Sequence, residues 1–173
     1  MSKAVMLSIR PKWCEKIVSG EKTIEVRKTR PKMNTPFKCY IYCTLPKYPH
    51  EDFIATDYPM PQFYGGGKVI GEFTCDRIYE LAPLNHAPDD VEKQACLTRE
   101  EIVNYLKGTG YGWHISNLKI YDTPRELSKF RRACPNSWYC ESCAMYWGNN
   151  GTCGNESLQL KRAPQSWCYV EEG

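Results

Sequence analysis

The fold is decided by the stretch MLSIRPKWCEKIVSGEKTIEVRKTR, which spans residues 6–30. Its first residues are apolar and predict a short strand. Pro11 is tolerated in the first turn of a helix, and Gly20 is typical of a helix end, so we expect a short helix between them. Residues 22–27 alternate in polarity and predict a second strand. The stretch therefore predicts a strand–helix–strand unit.

The second strand of this unit has one apolar and one charged face. Ile24 and Val26 point to one side, and Glu25 and Arg27 point to the other, because successive side chains of a strand alternate. We expect the apolar pair to face the core. The charged pair should then lie side by side on a face that is not the core.

Positive charge is concentrated around the same unit. Residues 1–32 contain nine Lys or Arg and three Glu, whereas the whole chain of 173 residues carries only +3. A concentrated positive patch attracts phosphates, although a solvated cationic surface is an equally ordinary explanation. The candidate phosphate-positioning residues are Arg10, Lys12, Lys16 and Arg30.

Further strands and one further helix follow in the sequence. The segment 98–101, TREE, is a capping box that predicts a helix to Lys107. Gly71 lies inside the longest predicted strand and indicates a bulge or a close backbone approach. The fold class is therefore α+β: a small mixed β-barrel of about five to six strands flanked by short helices. The predicted strands are residues 37–45, 68–81, 113–121 (ended by Asp122-Thr123-Pro124) and 166–170.

Length and composition indicate one domain over residues 1–173. No apolar run has the length of a membrane span, and the first residues lack a signal-peptide core, so we expect a cytoplasmic protein without membrane contact. Ten cysteines then need an explanation other than disulfides. Five scattered ones are expected to be small core residues: Cys14, Cys39, Cys43, Cys75 and Cys96.

Four other cysteines form a cluster with the spacing C-x5-C-x2-C-x9-C in a Gly- and Asn-rich segment, residues 134–153. A CxxC pair can supply two thiolates to one tetrahedral ion, and the outer two can close the site. The segment has too few aliphatic residues to fold by burial alone. We therefore predict a structural zinc site, with unligated thiols or a disulfide as alternatives and Cys168 as a substitute ligand. The predicted ligands are Cys134, Cys140, Cys143 and Cys153.

A long loop rich in Pro, Tyr and Gly occupies residues 46–67. Loops of this length are usually functional or mobile. One interpretation of the chain is therefore an interaction protein whose loop contacts another protein.

The order LSIRPKWCEKIVSGEKTIEVRK, then VIGEFTCDRI, then WHISNLKIYD resembles an ASCH domain of the PUA-like superfamily. The segment SGEKT-x-E-x-R, residues 19–27, is its most specific part. The resemblance implies a β-barrel with a cleft beside the first helix that binds RNA or modified nucleosides. Residues 46–67 and 134–153 are then insertions into a minimal domain.

Some relatives are enzymes, and the resemblance implies a possible catalytic set. Small bacterial members remove the acetyl group from N4-acetylcytidine with a Lys, a Thr nucleophile three residues later and a distant Glu, and one member is described as a ribonuclease. Lys22 matches the Lys and Glu72 matches the Glu, but Glu25 stands at the nucleophile position. A carboxylate can act as a general base, yet it cannot form the same ester intermediate. A structural ion-pair network is the other explanation for these residues.

The favoured function is binding of RNA or a nucleotide-like small molecule in a basic cleft. The alternative is a hydrolase acting on a modified nucleoside or on RNA, with Lys22, Glu25 and Glu72 as its acid/base set. Aromatic residues near the patch would stack on bases, or else belong to the core. The predicted ligand-binding residues are Arg10, Lys12, Trp13, Lys16, Lys22, Glu25, Arg27 and Trp113.

Overall fold

One mixed β-sheet with short helices around it makes up the fold. The computed structural model describes residues 2–45, 66–81, 86–135, 137–150 and 153–173. Short 3-10 helices lie at Leu127–Lys129, Ser137–Ser142 and Glu156–Leu158. The other elements are β1 (Lys3–Ile9), α1 (Pro11–Val18), β2 (Ile24–Arg27), β3 (Phe37–Cys43), β4 (Lys68–Glu80), α2 (Val91–Ala95), α3 (Arg99–Leu106), β5 (Tyr111–Glu126), α4 (Ala144–Trp147) and β6 (Trp167–Glu171).

The six strands lie in the order β2-β5-β4-β3-β1-β6. The pairing of β1 with β3 is parallel, and the other four pairings are antiparallel. The sheet curves into a half-barrel, so the predicted α+β barrel fold is confirmed. The strand–helix–strand prediction for residues 6–30 is also confirmed, because β1, α1 and β2 follow one another there.

The two edge strands, β2 and β6, are joined by side chains. We call this junction the seam and define it by Ser8, Arg27, Thr29, Ser166 and Trp167. The Arg27 guanidinium donates to the carbonyl oxygen of Ser8 at 2.8 Å, and to the carbonyl and hydroxyl oxygens of Ser166 at 3.3 and 3.2 Å. The indole Nε1 of Trp167 donates to the Thr29 hydroxyl at 2.9 Å.

Apolar side chains pack on both faces of the sheet. Alternate residues of β1 and β3, such as Leu7 and Ile41, pack with Trp113 and α1 in the concave core. Their neighbours Met6 and Tyr40 pack on the opposite face with Tyr121. A third cluster joins Ile24 and Val26 of β2 to α2 and α3, as the apolar face of that strand predicts.

Gly71 confirms the prediction of both a bulge and a close approach. The register of β4 shifts between Val69 and Gly71 against β5, and opposite the same two residues the pairing with β3 shifts between Ile41 and Tyr42. A Cβ atom on Gly71 would lie 2.5 Å from the backbone oxygen of Lys119. Only a residue without a side chain fits this position without displacing β5.

Two predictions about boundaries and burial are wrong. The strand at residue 113 does not end at Pro124 but continues to Glu126. The bulge explains this difference. Ile120 pairs with Gly71 and Arg125 pairs with Val69, so the residues between Ile120 and Arg125 are unpaired. Pro124 lies in this unpaired stretch, where no strand hydrogen bond is lost through its missing N–H. Cys96 is not a core residue but lies half-buried at the end of α2, in a left-handed conformation.

Other features agree with the sequence or lie beyond the structure. The capping box of Thr98 and Glu101 is present at the start of α3. Most of the predicted insertion 46–67 falls outside the described residues, so the domain boundaries stay predictions. In the described ranges, every helix is too short or too polar to cross a bilayer.

Candidate functional site

A cavity of about 470 Å³ opens beside α1, at the seam of the half-barrel. Residues from β1, α1, β2 and α3 contribute to its wall, so the strand–helix–strand unit supplies most of the site. The described lining residues are Ser8, Ile9, Arg10, Trp13, Lys22, Glu25, Val26, Arg27, Thr44, Leu97, Glu101, Tyr105 and Gln165.

Three charged side chains are buried in this cavity wall. Lys22 is 3% exposed, and Glu25 and Arg27 are each 6% exposed. The Glu25 carboxylate lies between the two cations, 3.5 Å from Lys22 Nζ and 3.0 Å from Arg27 Nη2. We call these three residues the buried triad. Its formal charge is +1.

The position of the triad corrects the expectation that Glu25 and Arg27 lie on a face outside the core. Glu25 is paired across the sheet with Trp113, which is a core residue of the concave face. The other face of β2 is covered by α2 and α3, so all four residues of the strand are buried. Alternation in a sequence distinguishes two faces, but it cannot show that both are covered.

Backbone groups fix the two cations in place. Lys22 Nζ donates to the carbonyl oxygen of Ala95 at 2.7 Å, in the last turn of α2. Arg27 spans the seam, as described above, but its Nε has no hydrogen-bond partner. A buried N–H without an acceptor is costly, and Arg27 is held at the cavity wall with one donor unsatisfied.

Trp13 forms an aromatic wall next to the triad. Lys22 Nζ lies 5.0 Å from its ring centroid, and Lys12 Nζ lies 4.4 Å from it. The ring is half-buried, so part of its surface faces the cavity. Lys12 is exposed and outside the lining, which leaves its ammonium able to move when another group approaches the ring.

Arg10 and Lys16, two further cations predicted to bind a ligand, differ in their distance from the cavity. Arg10 is exposed at the rim of the cavity. Lys16 does not line it and pairs instead with Glu21 at 2.6 Å, and that ion pair raises the pKa of Lys16 and lowers the pKa of Glu21. Of the two, only Arg10 is placed to contact a ligand in the cavity.

Trp113 and Glu72 are not brought to the cavity surface. Trp113 is fully buried against Phe37 and Trp167, and its Nε1 has no hydrogen-bond partner. Glu72 lies on the opposite face of the sheet, where it accepts a hydrogen bond from Tyr121 and faces Lys38 at 3.9 Å. The expected grouping of Glu72 with Lys22 and Glu25 is therefore absent, because β4 turns this side chain away from the concave core.

Several lining residues were missed by sequence reasoning. Tyr105 follows Glu101 by four residues, a spacing that places both on one face of α3. That signal was available once the capping box had predicted the helix. Gln165 gave no signal, because it comes from an irregular segment before β6 and reaches the site only through the tertiary fold.

The ASCH domain family model matches residues 7–44, which include α1, the buried triad and Trp13. This part of the chain is similar to the ASCH domain. None of the curated proteins compared with it matches. Three solved structures of one ASCH protein also resemble it, so the predicted resemblance is confirmed.

The ASCH protein from Zymomonas mobilis is similar in fold along nearly the whole chain. Its crystal structure has a TM-score of 0.57 and 16% sequence identity, and covers 98% of this chain and 88% of the other. Two mutant forms of that protein are also similar, each at 16% identity. The first has a TM-score of 0.56 and covers 99% of this chain and 92% of the other. The second has a TM-score of 0.58 and covers 98% of this chain and 89% of the other. At this identity the likeness concerns the fold.

The cysteine cluster lies outside the residues matched by the ASCH family model. Burial is the main cause that raises the pKa of the Cys140 thiol. The nearby thiols of Cys134, Cys153 and Cys143 add to the increase. Among the described residues, no three or more His, Cys, Asp or Glu side chains are placed so that they could hold a metal ion. Cys168 pairs with Met6 inside the sheet, and the segment before Cys134 runs antiparallel to the same strand, β6, through the Arg132–Val170 bridge, so the role of Cys168 as substitute ligand stays a prediction.

Proposed function

We propose that the cavity binds one base of RNA, or a nucleotide-like small molecule, and that the ASCH domain acts as a binding module. The observation that carries the proposal is the buried triad beside Trp13. The triad offers hydrogen-bond donors on Lys22 and Arg27 and an acceptor on Glu25. The edge of a nucleobase also presents donors and acceptors together, so the two can form complementary hydrogen bonds.

The dimensions and the aromatic wall support this ligand class. Small-molecule sites have volumes of roughly 300–1,000 Å³, and a cavity of about 470 Å³ lies in that range. Stacking of a base on an aromatic ring contributes about 1–3 kcal/mol. Trp13 offers such a ring next to polar groups that can orient the base.

Charge supports a ligand that carries a phosphate. The lining contains three cations, Arg10, Lys22 and Arg27, against two carboxylates, Glu25 and Glu101. Arg10 and Lys12 are exposed near the opening and can reach a phosphate without losing a buried partner. Phosphate contacts of this kind would position the ligand and give affinity without reading its sequence.

Hydrolysis is the weaker candidate. The set inferred from the family needs Lys22, Glu25 and Glu72 together, and Glu72 lies on the other face of the sheet. Thr23, the neighbouring hydroxyl, donates to the side chain of Gln94 at 3.1 Å. Turnover of N4-acetylcytidine or cleavage of labelled RNA by the purified protein would contradict a pure binding function.

A fluorescence titration with mononucleotides and short single-stranded RNAs tests the proposal. The Trp13→Ala variant should lose roughly 5- to 150-fold in affinity, which corresponds to one stacked base. Trp147→Ala is the matched control, because Trp147 is 67% exposed and lies outside the cavity lining. Equal affinities for both variants, or no binding by the unmodified protein at low salt, would refute the proposal.

A further inference from the structure

The described residues between Phe130 and Leu160 form no hydrophobic core of their own. These two residues are buried, but none of the described residues between them is. Met145 and Trp147 are 54% and 67% exposed on α4. Burial of the described apolar side chains is therefore too small to hold this region in one conformation, and another source of stability is needed.

Hydrogen bonds close the base of the region. Arg131 Nη2 donates to the carbonyl oxygen of Asn155 at 2.7 Å, and the backbone N–H of Arg132 donates to the carbonyl oxygen of Leu158 at 2.7 Å. Cys134 follows this base directly, and Cys153 precedes it. The two outer cysteines of the cluster are therefore near the same end of the loop.

Two more backbone bonds bring in the inner cysteines. The N–H of Gly154 donates to the carbonyl oxygen of Met145 at 3.1 Å, which holds Cys153 against the start of α4. The N–H of Cys143 donates to the carbonyl oxygen of Cys140 at 3.0 Å, which forms the turn of the CxxC pair. The loop thus folds back on itself, and its two ends are tied to each other and to the CxxC turn.

We propose that Cys134, Cys140, Cys143 and Cys153 bind one zinc ion that stabilises this region. Zinc takes four thiolates in a tetrahedral arrangement, and each thiol releases its proton on binding. Four protein ligands leave no position for water or substrate, so the ion is structural. The described side chains are not placed for ligation, so the ion must draw the thiols together, and binding is coupled to the folding of the loop.

Five of the other six cysteines do not belong to this site. Cys14, Cys39, Cys43 and Cys75 are buried in the concave core. Cys96 ends α2, whereas Cys168 stays the substitute ligand, because the segment before Cys134 pairs with β6 through the Arg132–Val170 bridge. Cys96 is half-buried like the four proposed ligands, which makes it the matched control for their substitution.

Elemental analysis of the full chain, purified with reductant and without chelator, is the first test. We expect about one zinc per chain for the unmodified protein and for Cys96→Ser. Each of the four single variants, such as Cys140→Ser, should lose most of the ion. Well under one zinc in the unmodified protein, or zinc that survives all four substitutions, would overturn the proposal.

Cobalt substitution provides a readout that does not depend on how the variants fold. Co²⁺ added to chelator-treated, reduced protein should give the intense thiolate-to-metal charge-transfer absorption of a tetrahedral four-thiolate site. Absence of that absorption would overturn the proposal, as would mass spectrometry showing that the four cysteines form two disulfides in protein isolated under reducing conditions.

Limited proteolysis locates the effect of the ion. Removal of zinc should make residues 134–159 sensitive to protease while the strands of the half-barrel stay protected. Cleavage in this region that is equal with and without zinc would show that the ion does not stabilise the loop. Since the site is separate from the cavity, its failure would leave the nucleotide-binding proposal untouched.

Discussion

At the scale of single residues, the buried triad is the most demanding feature of the molecule. Among the described residues, Glu25 is the carboxylate that balances Lys22 and Arg27, and it contacts both. Breaking a buried ion pair by removing one partner costs more than the pair itself contributes, because a charge is left without compensation. The triad is therefore a point of sensitivity whatever the cavity binds.

Substitution of Glu25 tests this sensitivity. Glu25→Gln keeps the shape of the side chain but leaves two buried cations unbalanced, so we expect a loss of about 3–5 kcal/mol in the free energy of unfolding. Urea denaturation followed by tryptophan fluorescence measures it. Glu100→Gln, at an exposed position of α3, should change stability by less than about 0.5 kcal/mol. Equal effects would mean that the triad is not held as a buried ion pair.

The core cysteines give a prediction about thiol reactivity. Burial raises the pKa of the Cys14 and Cys39 thiols, and raises that of Cys75 to about 12. The thiolate is the reactive form, so these three should resist alkylation in native protein near pH 8 and react only in denaturant. Peptide mass spectrometry after iodoacetamide treatment reads each site separately. Rapid native labelling of Cys39 would contradict the packing of the concave core.

The sequence identified the members of the triad but not their burial. Lys22, Glu25 and Arg27 stood out from the charge pattern and from the family resemblance. Their burial depends on α2 and α3 covering β2 from a distant part of the chain, which no local pattern reports. The misplacement of Glu72 has a similar cause, since the face it occupies depends on the bulge at Gly71.

At the scale of elements, the bulge in β4 links the strand register to the site. Gly71 allows β5 to approach closely, and the register shift next to it aligns the rest of both strands. The sequence predicted this element well, because a glycine inside a strand has few other uses. It predicted the end of β5 poorly, because a proline usually stops a strand. Here Pro124 lies in the unpaired stretch that the bulge creates, and the strand continues beyond it.

Gly71→Ala should destabilise the protein by about 3 kcal/mol, since the added Cβ would lie 2.5 Å from a backbone oxygen that cannot move alone. Thermal or urea unfolding measures the loss. Thr74→Ala, three residues along the same strand, should cost no more than about 1 kcal/mol. If Thr74→Ala were the more damaging change, the close approach at Gly71 would be contradicted.

The capping box of α3 carries a second prediction for an element. Thr98 accepts a hydrogen bond from the N–H of Glu101 at 3.1 Å, and Glu101 accepts one from the N–H of Thr98 at 2.8 Å. Thr98→Ala should cost about 1 kcal/mol in stability. Thr98→Ser keeps the acceptor and should recover most of the loss in the same unfolding experiment. Failure of Thr98→Ser to do so would argue against the cap.

At the scale of the whole molecule, the half-barrel is completed by side chains across the seam. Arg27→Lys keeps the charge but loses the fork that reaches Ser8 and Ser166. We expect faster amide hydrogen exchange in β2 and β6, with little change in the central strands β3 and β4. Mass spectrometry of exchange in native protein measures this. A uniform increase over all strands would indicate global destabilisation instead.

The seam also bears on how the protein behaves at high concentration. An open sheet has two edges, and unpaired N–H and C=O groups along an edge can pair with a neighbouring molecule. Here residues 131–133 pair with the outer edge of β6, and the bonds of Arg27 to Ser166 and of Trp167 to Thr29 tie β2 to the start of that strand. We expect the Arg27 bonds to keep the other edge strand, β2, from pairing with a second molecule. Loss of this side chain should appear as aggregation before it appears as loss of fold.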